Sequence, residues 1–389
     1  MKKVLTILLI GISGLCAQQW TQYTNGDDIQ VLASDDQNLY IGTTGGLAIM
    51  NKETEEMTLY NNLNSGLPDN RIHSLAVDSG LLWVGTRFGG LTSFDGTDWT
   101  TYNESNSGLP HNYVWSLAVD GNMIWIGTYG GGLASFDGTE WYTYNTSNSG
   151  LPNNWVYSLA LDGDMLWVGT SGSLTSFDGT DWTTYNTSNS GLPESYGIYS
   201  LTMGSDLLWI GTYNGGLISF DGIDWTVYNT SNSDLPNNDI WSLTVDGNLL
   251  WVGTYGGGLT SFDGTSWTTY NTSNSGLPGN AVYSLVMDSN LLWVGTYGGG
   301  LASFDGTDWE TYITFDSGLP DNDVRSLAVD GDLLWAGTIT GGLTSFDGTS
   351  WTTYNTSNSG LPGMQFIPLL WTAICYGLEH QMVSPHMTV

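Results

Sequence analysis

Residues 240–270 read IWSLTVDGNLLWVGTYGGGLTSFDGTSWTTY, and the fold follows from this one stretch. IWSLTVD alternates apolar and polar positions, LLWVGT does the same, and a period of two marks strands. Asp246-Gly247-Asn248 between them reads as a hairpin turn, because Asp-Gly tolerates the positive φ such turns need. GLTSF is a third strand entered through a glycine-rich loop, Asp263-Gly264-Thr265-Ser266 turns the chain again, and WTTY is the fourth. NTSNSDLPNND (229–239) crosses into this copy from the one before, its Pro236 arguing against a continued strand.

The copy recurs along the chain. Its Gly-Thr pair begins at Gly42, Gly85, Gly127, Gly169, Gly211, Gly253, Gly295 and Gly337, spaced by 43 residues once and by 42 thereafter. A period in this range means a solenoid or a propeller. A four-stranded sheet that is apolar on both faces cannot stand alone. Stacking such sheets radially buries both faces and protects the edges, which is the β-propeller solution. A linear solenoid is disfavoured, since its repeats are shorter and its strands parallel. The expectation is therefore an all-β chain, a β-propeller of four-stranded antiparallel blades. Complete units start near residues 30, 72, 114, 156, 198, 240, 282 and 324, which predicts eight blades, with seven as the alternative. Copy four is one residue short in its loop (TSGSLTS, 170–176) and long before Ile198, and the two changes cancel.

The motif LLWVGTYGGGLTSFDGTSWTTYNTSNSGLP, on which residues 249–278 are built, resembles the two-component regulator propeller repeat family. The resemblance covers Trp20 to Pro362. It implies a sensor propeller of the kind that often forms the extracellular part of hybrid histidine kinases and detects glycan fragments. No kinase, transmembrane helix or DNA-binding segment follows in this sequence, so the implied role carries over only as binding of a ligand or partner.

Residues 1–17 read as an export signal: Lys2 and Lys3, an apolar stretch from Val4 to Ile12, and a cleavage site at Ala17. That address predicts a secreted or periplasmic protein. Cys16 as a lipid anchor is the lesser reading, because bulky Leu15 precedes it. The propeller then spans residues 18–362. Residues 363–389 leave the pattern, and the genetic code suggests why. Read one base out of register, Met364-Gln365, Trp371-Thr372, Met382-Val383 and Met387-Thr388 encode Ala, Asp, Gly and Asp. Permitted codons complete NAVYSLAVDGNLLWVGT, which nearly duplicates residues 280–296. The tail is thus expected to be a frameshifted ninth repeat, and Cys375, His380 and His386 carry no functional reading.

Composition narrows the function. Lys and Arg number 6 against 38 Asp and Glu, for a formal net charge of −32. Such a surface repels nucleic acid and anionic lipid. No segment is long and apolar enough to span a membrane. The body holds two histidines, His73 and His111, and no Ser/His/Asp or Cys/His arrangement can be assembled with any specificity. The reading is non-catalytic, with a propeller lyase or hydrolase as a remote alternative, and no cofactor or metal is implied. The Asp residues of VDG and FDG suit turns better than calcium, lacking the alternating oxygen ligands of a calcium loop. NTS at Asn145, Asn186, Asn229, Asn271 and Asn355 matches a glycan acceptor pattern but reads first as polar loop.

Positions that differ between near-identical copies are more informative. Just before the first-strand Ser stand His73, Trp115, Tyr157, Tyr199, Trp241, Tyr283 and Arg325. The glycine-rich loop adds Phe88, Tyr129, Tyr213, Tyr255 and Tyr297. In a propeller both positions open on one face near the axis. Aromatic faces stack on sugar rings while neighbouring Asn, Asp and Ser bond hydroxyls. The candidate site is therefore Trp115, Tyr157, Tyr199, Trp241, Tyr283, Tyr129, Tyr213, Tyr255 and Tyr297, taking a carbohydrate or peptide ligand or a protein partner. The alternatives are that these rings wedge between blades as core, or that the chain is a repetitive surface scaffold or adhesion module. The repeated Trp of WVGT and WTTY, such as Trp251 and Trp267, is assigned to core.

Overall fold

The alternation becomes eight four-stranded antiparallel sheets, and no helix occurs among the described residues. The structure, a computed structural model, describes residues 29–361 apart from 36, 52–53, 55, 79, 122, 205, 289–290, 313–318, 331–332, 356–357 and 360. The export signal at 1–17 and the tail at 363–389 lie outside the described residues. Blades 1 to 8 occupy residues 29–60, 72–102, 114–144, 156–185, 197–228, 240–270, 282–312 and 324–354. Within each blade the strands lie side by side in sequence order. In blade 6 Leu243 pairs with Val252, Thr244 with Trp251 and Asp246 with Leu249, so Gly247 and Asn248 form a two-residue turn in which Gly247 takes φ 57°. Glycine holds that left-handed conformation without steric cost.

Alternation gives each sheet two apolar faces and hence two seams. Leu250, Val252 and Phe262 of blade 6 pack against Trp209 of blade 5, while Trp251 turns the other way onto Leu292, Val294 and Phe304 of blade 7. Trp251 meets Phe304 edge-on, with centroids 5.9 Å apart at 81°. The same Trp-to-Phe contact recurs at Trp83–Phe136, Trp125–Phe177, Trp167–Phe220, Trp209–Phe262 and Trp293–Phe346. Trp251 is thus core, as assigned. Trp267 is half-buried on the outermost strand and stacks on Phe262 at 4.3 Å. The last seam joins the two ends of the ring: Trp335, Leu343 and Tyr354 of blade 8, with Leu361 just after it, cluster with Leu39, Ile41, Ala48, Met50 and Leu59 of blade 1. First strands touch neighbour to neighbour all the way round, including residues 29–34 against 324–330. The ring closes at eight.

The repeated Gly-Thr pair now has a physical reason. A Cβ on Gly253 would collide with Ser242 Oγ and approach Val282 Cγ1 of the next blade to 2.7 Å, so glycine permits the close approach that the taper demands. Thr254 Oγ1 donates to Gly258 O at 2.8 Å and closes the glycine-rich loop. Thr43, Thr86, Thr128, Thr170, Thr212, Thr296 and Thr338 do the same in the other blades. In blade 4 the shortened loop is met by the lengthened crossing: Ser171 Oγ donates to Tyr196 O at 3.1 Å.

Candidate functional site

The position before each first-strand Ser is a β-bulge. In blade 6 Ile240 pairs with Thr254 and Ser242 with Gly253, which leaves Trp241 opposite nothing. The same shift sets Gln30, His73, Trp115, Tyr157, Tyr199, Tyr283 and Arg325 out of their ladders. A bulge frees one residue from pairing and re-aims its side chain. Here it does so on the innermost strand of every blade, and the side chains meet across blade boundaries. Ring centroids lie 4.5 Å apart for His73–Trp115, 5.5 Å for Trp115–Tyr157, 5.1 Å for Tyr157–Tyr199 and 4.5 Å for Trp241–Tyr283. The Arg325 guanidinium sits 5.8 Å from the Tyr283 centroid. The bulges make a collar at the mouth of the axial channel.

The glycine-rich loops form a second tier on the same face. Tyr129 N–H donates to Tyr113 O at 3.0 Å, and Gly130 and Gly132 N–H donate to Asn154 O, tying the loop of blade 3 to the crossing into blade 4. Tyr129 then stacks on Trp115 at 5.7 Å and on Trp155 at 5.1 Å, the latter pair within 6° of parallel. Tyr255 stacks on Trp241 at 5.1 Å, Tyr297 meets Tyr283 edge-on at 5.5 Å, and Tyr213 meets Tyr199 at 6.1 Å. The nine candidate residues therefore converge on one face. They do not share one environment. Tyr157 is buried, wedged beneath Trp115 and Tyr199, and burial pushes its phenol pKa up. Trp115, Trp241 and Tyr283 are half-buried, while Tyr129, Tyr199, Tyr255 and Tyr297 are exposed.

Three further rings belong to this face: Tyr113, Trp155 and Tyr196. Trp155 and Tyr196 are exposed, and Tyr113 is packed between His73, Trp115 and Tyr129. For Tyr113 and Trp155 the signal is two residues before the bulge, where copies read Arg71, Tyr113, Trp155, Gly197, Asp239, Ala281 and Asp323, and Tyr196 stands one further back in the lengthened crossing. Phe88 is not the counterpart of Tyr129. Arg87 holds that place, its N–H donating to Arg71 O as Tyr129 does to Tyr113 O, and Phe88 stands one residue further out. Among the described residues ten large apolar side chains are exposed, and seven of them lie here: Phe88, Tyr129, Trp155, Tyr196, Tyr199, Tyr255 and Tyr297.

Burial lowers the His73 pKa to about 4, helped by the positive fields of Arg325 and Arg87, so the imidazole is neutral at pH 7. Burial raises the Tyr113 phenol to about 12, against the pull of Arg87. On the opposite end of the blades the FDG aspartates behave differently. Asp263 Oδ1 accepts from Thr265 N at 2.8 Å, Ser266 N at 2.7 Å and Thr265 Oγ1 at 2.8 Å, and these donors hold its carboxyl below the usual range. That is turn chemistry. The NTSN crossings are likewise occupied: Asn271 Oδ1 accepts from Ser273 N and Ser273 Oγ, and Asn274 Nδ2 donates to Thr269 O.

The family model for the two component regulator propeller matches residues 108–130, 150–172, 234–256 and 276–298. Blades 3, 4, 6 and 7 thus carry segments similar to two-component regulator propeller repeats. Each match runs from the crossing through the first two strands into the glycine-rich loop, the segment that builds the mouth. No curated protein matches the chain. Among solved structures, the chain is similar to the computationally designed Ika8 protein at 15% identity, with 84% of this chain and 98% of that one covered and a TM-score of 0.64. It is similar to BamB from Moraxella catarrhalis at 15% identity, covering 86% and 99%, with a TM-score of 0.57. It also matches the extracellular domain of a hybrid two component system from B. thetaiotaomicron at 24% identity, with 84% of this chain covered but only 46% of that one and a TM-score of 0.46. At such identities the likeness to Ika8 and BamB is one of fold. No helix among the described residues is long and apolar enough to cross a membrane.

Proposed function

We propose that this chain is a non-catalytic binding propeller, secreted or periplasmic, whose channel mouth takes a carbohydrate or peptide ligand on aromatic faces. The observation that carries the reading is the concentration of exposed rings, seven of the ten exposed large apolar side chains among the described residues, on the one face where the repeats diverge. Monomers seldom expose contiguous apolar surface without a binding role. Tyr129 with Trp155, and Tyr255 with Trp241, offer flat platforms supported from beneath by half-buried rings. The similarity to two-component regulator propeller repeats supports a sensing role, and glycan fragments are the ligand class it suggests.

The test is binding of the intact protein to glycan and peptide arrays. Tyr129→Ala and Tyr255→Ala should each weaken the captured ligand about tenfold or more, the cost of one stacking platform. Tyr142→Ala, an exposed ring on the outermost strand of blade 3, should leave binding unchanged. A scaffold or adhesion module is the second reading, favoured by the mutual stacking of these rings, which spends part of their surface within the protein. Absence of any ligand, together with self-association or adherence to cells, would establish it instead.

A further inference from the structure

All three arginines of the chain, Arg71, Arg87 and Arg325, stand at the divergent positions of the mouth. Arg71 precedes the first strand of blade 2, Arg87 opens that blade's glycine-rich loop, and Arg325 is the bulge residue of blade 8. The Arg71 and Arg87 guanidinium carbons lie 5.3 and 5.4 Å from the centroid of Phe88, and Arg87 also lies 5.6 Å from Tyr113. Between them and Arg325 sits His73, within the field of both Arg87 and Arg325.

In a chain with 38 carboxylates, none of these arginines forms an ion pair with a described residue, and Arg87 Nε is buried without a hydrogen-bond partner. The carboxylates nearest in sequence are engaged elsewhere. Asp69 Oδ1 accepts from Arg71 N–H, and Asp321 accepts from Thr340 N, Thr340 Oγ1 and Asp323 N. Burial and the neighbouring Asp321 favour the neutral form of Asp323. Stacking on an aromatic face fixes a guanidinium while leaving its edge of N–H donors open, and that edge matches a carboxylate or sulfate.

We propose that the sector of the mouth shared by blades 8, 1 and 2 is an oxyanion subsite, and that the ligand bears a carboxylate or sulfate group which these arginines bind. The proposal rests on the mouth being the binding face and adds the charge of the ligand. The collar then has two arcs. Blades 3 to 7 present Trp115, Tyr157, Tyr199, Trp241 and Tyr283, and blades 8, 1 and 2 present Arg325, Gln30 and His73. A ligand spanning the mouth would lay neutral rings on the first arc and its anionic group on the second.

The experiment titrates the intact protein with three oligosaccharides of equal length: oligogalacturonate, its methyl ester and a sulfated neutral oligosaccharide. Each is repeated with Arg87→Met and Arg325→Met, which keep the apolar stems, after melting curves confirm folding. The expected result is that at least one acidic probe binds tenfold or more tighter than the ester and loses that advantage in either variant. Preference for oligogalacturonate or for the sulfated probe tells carboxylate from sulfate. Equal binding of acid and ester, unchanged binding in both variants, or no binding of either acidic probe overturns the proposal. If the ester binds and responds to Tyr255→Ala but not to the arginine variants, the aromatic reading survives and the subsite fails. If an acidic probe depends on the arginines but not on Tyr129 or Tyr255, the reverse holds.

Discussion

Two ends of the same blade use one repeat in opposite ways. At the turn after the third strand, Asp95, Asp137, Asp178, Asp221, Asp263, Asp305 and Asp347 each accept the same pair of backbone N–H bonds at 2.6–2.9 Å. At the bulge that begins the first strand, eight blades carry Gln30, His73, Trp115, Tyr157, Tyr199, Trp241, Tyr283 and Arg325. A turn dictates its residue, because a specific acceptor must reach specific donors. A bulge on the innermost strand dictates only an approximate size, since its side chain has no ladder partner and packs only on the rings beside it. Divergence therefore collects where the fold asks least.

The sharpest way to test that contrast is at the seam. Trp251→Ala empties a contact with Phe304 and should cost about 3–5 kcal/mol, read as a lowered denaturation midpoint. Trp241→Ala, in the same blade but half-buried at the mouth, should cost less than half as much. Equal losses would mean the collar is core. His73 gives the next effect. Its folded pKa of about 4 lies below the ordinary 6.5, so the unfolded chain takes up a proton first as pH falls. Stability should decline from about pH 6.5 to about pH 4 and level off below, by roughly 3 kcal/mol. His73→Phe should flatten that part of the profile.

A smaller change is expected at the exposed tier: Tyr255→Ala should shift stability by about 1 kcal/mol or less while abolishing ligand capture. The smallest is at the far turn. The depressed carboxyl of Asp263 contributes stability above the unfolded aspartate pKa, and that contribution disappears as pH falls through the folded value. Asp263→Asn should remove this acid-range dependence with little change in the midpoint at pH 7.

Much of the fold was legible because it rests on repetition. The period placed every blade start within a residue of its observed position, and the Asp-Gly turns and the seam role of Trp251 followed from local chemistry. The mouth was legible only in part. Divergence between copies pointed to the bulge and loop positions, but not to Tyr113, Trp155 and Tyr196, which lie in the crossing and reach the face only through its path. Nor could spacing tell buried Tyr157 from exposed Tyr199 in the neighbouring blade. The two share a register position, and the difference arises from the longer crossing before blade 5, where Gly197 packs on the Tyr157 ring. The substitution of Arg87 at the Tyr129 position was hidden by adjacent Phe88, since an aromatic was expected there.

The seam between blades 8 and 1 has a consequence for how such molecules arise. Blade 8 completes its own sheet from a single repeat, so the ring is held shut by side chains such as Trp335 and Met50 rather than by a strand borrowed from the opposite end. Duplicating or deleting one unit of DNA would leave every sheet whole and alter only the curvature. A lineage built this way can change its number of blades, and the circumference of its mouth, in one genetic step.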